Sequence, residues 1–298
     1  MYITKGRIFL GAWMAAGFPA MLAAQQPEAA SPNDDAEKWR AALNGGVTSY
    51  DGSEDPHFGS FSLAREFDNG FVELSVSAIR DGATQGVVDT LAVSSESVTL
   101  SGGYDVGSLA FDGYILIGQR RFETETIAGP NHAIAIGTDG SNYAAGMGAR
   151  YDHFLADDIV ISPFATIDYD RIDVARAVSL PGGRTETAKS KEDGFTGSGG
   201  FSVQGLFGPE SQHIAGLTAA FSATSNSSAT RSGIYFGGAG RVVAARNRPG
   251  QSDEWGELGA NTSFAVADRL RLNIAANRTI GFDGPEATSL TAGLSFRF

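Results

Sequence analysis

The sequence predicts an all-β fold, a transmembrane antiparallel up-and-down β-barrel of about twelve strands with a short N-terminal helical segment. Three observations predict it. Long runs alternate apolar and polar residues, the connections between them are alternately short and long, and the N-terminus has the grammar of an export signal.

The chain begins with a basic head at Lys5 and Arg7, an apolar stretch IFLGAWMAAGF and a small-residue exit PAMLAAQQ. Residues 1–24 therefore read as a signal peptide cleaved after Ala23 or Ala24. The apolar run is shorter than the ~20 residues a spanning helix needs, which argues against a helical anchor. Residues 25–44 read as a leader. QQPEAASPNDD is polar and Pro-containing, whereas DDAEKWRAALNGG has an acidic start, an Ala-rich middle and a Gly45-Gly46 stop, which predicts a helix over residues 34–44.

From residue 45 to 298 the pattern has period two. Twelve strands are predicted, at 45–52, 57–67, 70–80, 91–105, 108–123, 142–154, 159–177, 194–207, 212–224, 255–266, 269–282 and 287–298. Val72, Leu74, Val76 and Ala78 oppose Glu73, Ser75 and Ser77, and Leu270, Leu272, Ile274 and Ala276 oppose Arg271, Asn273 and Asn277. Many runs match the ~9 to 11 residues of a tilted membrane strand rather than the ~5 to 6 of a soluble one. The last run alternates to Phe298 itself, although chain ends usually fray. That is expected if the final strand is the seam, paired on both sides, with Phe296 and Phe298 on the lipid face.

Short links fall at residues 68–70, 105–108, 155–158, 208–211 and 266–268, and the intervening links are mostly longer. Tight turns on one rim and loops on the other are the arrangement of periplasmic turns against extracellular loops. An even strand count puts both ends of the barrel on the short-turn rim. In a soluble all-β protein the same alternation would mean core-in and solvent-out. Strand length, loop asymmetry and aromatics near strand ends (Phe67, Tyr104, Tyr143, Tyr151, Phe207, Phe282, Phe298) favour the barrel. A lipid-facing band tolerates no open edge, so strand twelve is expected to pair with strand one.

Composition narrows the chemistry. With 34 acidic against 22 basic residues the net charge is -12, which argues against nucleic acid as a partner. Without cysteine there is no disulfide, thiolate nucleophile or Cys-ligated zinc. No cofactor motif is present, and neither a metal site nor a catalytic residue is assigned. The inward, lumen-lining candidates are Glu66, Glu73, Asp112, Arg120, Arg150, Asp168, Asp170, Glu257, Arg271 and Arg297. They would either set a field across a pore that passes small solutes or ions, or form an ion-pair network that stabilises the wall. Loop carboxylates Asp51, Glu54, Asp55 and Asp139 offer oxygen ligands to Ca²⁺, without EF-hand spacing. A rim hydrolase would need His57 or His132 ordered beside Asp51, Asp55 or Asp139, and no nucleophile elbow accompanies them, so the chain is expected not to be an enzyme. His153 and His213 belong to the other rim. Loop 225–254 contains GIYFGGAGRVVAARN, which reads as a hairpin and is the candidate for adhesion or partner binding.

GARYDHFLADDIVISPFATIDYDRID, a strand, a tight turn and a strand with Pro163 near its start, resembles the middle of an autotransporter translocator barrel. WGELGANTSFAVADRLRLNIAANRTIGFDG through TAGLSFRF is similar to that family's last three strands. The resemblance covers roughly residues 100–298 and rests on glycine and aromatic spacing. It implies a Gram-negative outer membrane, with outer-membrane lipids, lipopolysaccharide and the outer-membrane assembly machinery as partners. It also implies a helix threading the lumen, for which Lys38, Trp39 and Arg40 are the plug candidates, with Lys38 and Arg40 meeting Asp168 and Asp170. The alternative places that helix at the mouth. The departure from the family is the short stretch before the first strand, which predicts a barrel lacking a passenger, acting as a passive or plugged channel or a structural surface protein.

Overall fold

The computed structural model describes residues 39–50, 55–81, 92–126, 137–179, 185–208, 211–227, 251–281 and 286–298, with the isolated positions 9–10, 24–25, 134–135, 229, 231–232 and 242–243. Twelve strands form the wall: β1 Trp39–Tyr50, β2 His57–Phe67, β3 Gly70–Asp81, β4 Val93–Val106, β5 Leu109–Phe122, β6 Asp139–Tyr151, β7 Ile159–Ser179, β8 Thr185–Phe207, β9 His213–Thr224, β10 Asp253–Ala267, β11 Leu270–Ile280 and β12 Ala287–Arg297. A short segment, His153–Ala156, continues β6 past Asp152 and pairs with the start of β7. Each strand is antiparallel to the next, and the β12–β1 and β6–β7 pairings complete a closed cylinder.

Closure at β12–β1 runs from Ala287↔Tyr50 to Arg297↔Arg40, and beyond it Phe298 N donates to Trp39 O at 2.9 Å while Trp39 N donates to Phe298 O at 3.2 Å. The last residue is therefore held by a reciprocal backbone pair. Hairpins at Asp68-Asn69, Gly107-Ser108, Asp157-Asp158 and Asp268-Arg269 make one rim tight. Gly107 has a φ of 65°, the left-handed region in which a Cβ is costly.

The alternation sorts the faces. Leu43, Phe61, Val76, Val98, Ile117 and Tyr143 form one registered row across β1 to β6, all exposed. Phe201 at 59% and Leu294 at 47% exposure point away from the interior, which a water-soluble sandwich would not allow. An apolar outer surface on a closed strand cylinder is the lipid-facing band of a membrane barrel. Phe67, Tyr104, Tyr143, Tyr151, Phe207 and Phe298 lie exposed on that surface, and Phe282 lies outside the described residues.

Two sequence expectations give way. Residues 39–44 are not helical: β1 starts at Trp39 instead of residue 45, and residues 34–38 lie outside the described residues. The Ala-rich segment is a good local helix former, but propensity is a weak prior, and here β12 and β2 both offer a complete ladder. Residues 178–194 are also not a plain loop, because the β7–β8 ladder continues to Ser179↔Thr185. β6 stops pairing with β7 at Ile172 and β9 stops pairing with β8 at Thr196, so beyond that height β7 and β8 form a two-stranded extension on the long-loop rim.

Three small ladders lie apart from the cylinder: Phe9–Leu10 with Ala24–Gln25, Glu125–Thr126 with Ile134–Ala135, and Arg231–Ser232 with Val242–Val243. Apart from the first of these, the signal peptide and its cleavage site lie outside the described residues, as do Lys38, Asp51, Glu54 and His132.

Candidate functional site: the barrel lumen

Period two places one residue in two inside, and in this sequence those positions are mostly small and polar. Ser62, Ser75, Thr99, Thr218, Ser263 and Thr291 are all buried. One inward row, Asn44, Ser60, Ser77, Ser97 and Gly118, runs in register across β1 to β5. An open cavity of about 1340 Å³ lies at that height, lined by this row together with Leu43, Phe61, Val76, Val98, Ile117 and Tyr143 of the outward row.

The charged groups are grouped by neighbouring strands. At the short-turn end, Arg40 on β1 donates from Nε to Glu66 Oε1 at 3.2 Å and from Nη2 to Glu73 Oε2 at 3.3 Å. Arg297 on β12 approaches Glu66 Oε2 at 3.5 Å. Arg271 donates to Ser263 Oγ at 2.9 Å and to the Gln212 carbonyl at 3.0 Å. Around the wall, Arg150 Nε meets Asp152 Oδ1 at 2.9 Å, and Ser162 donates to the same oxygen at 2.7 Å. Asp112 sits opposite Gly148 on β6, in the same rim region.

Nearer the loops, Tyr114 donates to Asp168 Oδ1 at 2.7 Å across Gly146, whose missing side chain makes room for both groups. Asp170 is the next inward residue on β7 and is buried. Arg120 donates to the Asp173 carbonyl at 2.5 Å and lies over the Phe122 ring. Glu257 Oε1 accepts from Trp255 Nε1 at 2.6 Å and from Ser222 Oγ at 2.7 Å.

All ten lumen-lining candidates thus occupy the inward parity of their strands. The inward ion pairs Arg40–Glu66, Arg40–Glu73, Arg297–Glu66 and Arg150–Asp152 each join groups that are close neighbours around the wall. The plug assignment of Arg40 is corrected: its side chain is part of the wall, and its partners are Glu66 and Glu73 instead of Asp168 and Asp170. Trp39 is on the outer face with Arg65 stacked over it at 5.2 Å. The signal for Arg40 was present in the alternation Trp39, Ala41, Leu43 against Arg40, Ala42, Asn44, which an Ala-rich stretch disguises.

Phe296 and Phe298 stack at 6.1 Å on the outside of the seam. His57 and His153 are exposed, and His213 Nδ1 accepts from the Ala265 amide at 3.2 Å between Phe207 and Phe264. Among the described residues no group of three His, Asp or Glu side chains could hold a metal ion, and no helix is long and apolar enough to cross a membrane.

Residues 69–277 match the family model described as autotransporter beta-domain. The β domain of the Bordetella autotransporter BrkA superposes with a TM-score of 0.61 at 15% identity, over 89% of this chain and 100% of that one. The translocator domain of the autotransporter NalP from Neisseria meningitidis gives 0.60 at 11% identity, over 89% and 90%. LpxR from Salmonella typhimurium gives 0.52 at 8% identity, over 86% and 100%. At these identities the likeness carries the fold alone. Among curated proteins, none matches the chain.

Proposed function

The chain belongs to the autotransporter beta-domain family, whose place is the outer membrane of Gram-negative bacteria, and from that premise we propose that it acts as a non-enzymatic, passive channel with a preference for cations. One observation supports the reading most: the closed wall carries a largely polar inward face, from Asn44, Ser60, Ser77 and Thr99 to Asp168, Asp170 and Glu257. Inward hydroxyl and amide groups can hydrate a passing ion, and among the described residues inward carboxylates outnumber inward guanidinium groups, which favours positive charge in a low-dielectric cylinder.

Conductance of the purified protein in a planar bilayer under a KCl gradient tests this. The expected result is a steady current with a reversal potential of the sign for K⁺. Deleting residues 25–38, which precede β1, separates an open pore from one occluded by the leader. Absence of current from both proteins overturns the channel reading.

Binding through loop 225–254 is the alternative, and the ladder between Arg231–Ser232 and Val242–Val243 supports a hairpin there. Loss of cell-surface adhesion on deleting residues 233–241, from a barrel that never conducts, would favour it.

A further inference from the structure

On the outer face of β7 and β8, two exposed cations stand directly above the end of the apolar surface, and we propose that they bind the phosphate group of an outer-leaflet lipid. Outward positions on β7 run Ile159, Ile161, Pro163, Ala165, Ile167, Tyr169 and then Arg171. On β8 they run upward from Phe207 through Val203 and Phe201 to Phe195, then Asp193, Lys191 and Lys189. At ~3.4 Å per residue and a tilt of ~40°, Ile159 to Tyr169 spans about 26 Å and Phe207 to Phe195 about 31 Å, close to the ~25 Å apolar band of such barrels. Tyr169 and Phe195 pair across the ladder with rings 5.0 Å apart and mark the upper edge of that band. Arg171 and Lys191 come next, on diagonal positions of the same ladder, at headgroup height.

The second observation is that, among the described residues, neither is held in an ion pair. Elsewhere on the outer face near the long loops, Arg80 pairs with Glu123 at 3.1 Å, Arg121 with Glu96 at 3.8 Å and Arg278 with Glu286 at 2.8 Å. Among the described residues neither Arg171 nor Lys191 has an ion-pair partner. Each faces a carboxylate across the ladder without an ion pair to it: Arg171 faces Asp193, which accepts from the Tyr169 hydroxyl at 3.4 Å, and Lys191 faces Asp173, which accepts from Ser141 and pairs with Lys189 at 3.5 Å. Two cations at diagonal spacing, neither in an ion pair among the described residues, suit a phosphate, which accepts charge-assisted hydrogen bonds from both. The aromatic and aliphatic column beneath them suits acyl chains, which commits the site to a lipid over a free anion. The site is independent of whether the lumen conducts.

Native mass spectrometry of the detergent-purified barrel, incubated with diphosphorylated lipid A, tests the proposal. Arg171→Gln/Lys191→Gln should lower the bound fraction at least fivefold, while Arg80→Gln, which disturbs a paired cation, should leave it unchanged. Both substitutions are on exposed positions, and heat-modifiable gel mobility confirms that each barrel is folded. Dephosphorylated lipid A should bind wild type and double variant equally poorly. Equal lipid A binding by the double variant and wild type would overturn the site, and complete displacement of the lipid by an equal concentration of inorganic phosphate would overturn the commitment to a lipid.

Discussion

Arg40 is the residue whose loss should damage this barrel most for the number of atoms removed. Its side chain is 7% exposed and Glu73 is 2% exposed, and the two meet at 3.3 Å beside the β12–β1 seam. Replacing Arg40 by Met keeps the volume and deletes the charge. Glu66 retains Arg297 at 3.5 Å, but Glu73 is left as a buried carboxylate opposite Ala64 and Ser101. Stranding one member of a buried pair costs about 3–5 kcal/mol, because desolvation of the survivor is no longer compensated. Glu73→Gln alone should cost less, about 1–2 kcal/mol, since Arg40 still has Glu66.

Denaturant unfolding in detergent, followed by the fluorescence of Trp39 and Trp255, measures both, and Arg40→Met/Glu73→Leu completes the cycle. The double variant should be more stable than Arg40→Met alone. An Arg40→Met barrel within about 1 kcal/mol of wild type, or a double variant no better than the single, would refute the reasoning, because the pair would then be solvated instead of buried.

Leu294→Arg puts a charge near the middle of the lipid face and should cost about 2–4 kcal/mol in vesicles, against a much smaller effect in the denatured-state baseline. Gly146→Ala drives a methyl into the Tyr114 ring edge, 2.5 Å from its Cε1, and into Asp168, so the barrel should lose about 1–3 kcal/mol in the same unfolding assay. Asp168→Asn/Asp170→Asn should move the bilayer reversal potential toward zero, and an unchanged potential would detach cation preference from these carboxylates. At the loop rim, the hydrogen bond from Arg278 and a backbone bond from Gly281 hold the Glu286 carboxyl below its ordinary range. A depressed carboxylate contributes stability above its unfolded pKa and loses it as pH falls through the lower folded value, so Glu286→Gln should remove a small acid-side dependence of the unfolding midpoint and leave neutral pH almost untouched.

The strand wall was legible because a lipid outside and water inside impose a strict period of two, and few other environments do so over runs of this length. Val72 to Ala78 and Leu270 to Ala276 were readable residue by residue for that reason. The tight turns at Asp68-Asn69 and Gly107-Ser108 were readable from local backbone chemistry. The β7–β8 extension was not, since beyond the neighbouring ladders its strands pair only with each other, and the Thr, Ser, Lys and Glu residues at the start of β8 resemble a loop.

By itself, the sequence determined the face taken by most residues of the wall from residue 45 onward, an architecture of about twelve strands and a final strand paired to its end, because these follow from alternation and hydrogen-bond closure in hydrocarbon. Only the tertiary structure decided that WRAALN is a strand and that Arg40 meets Glu66 and Glu73. It also decided that Tyr114 reaches Asp168 through the space above Gly146. Those contacts join residues far apart in the chain, and their partners are fixed by register between strands, a quantity that no single strand's pattern contains.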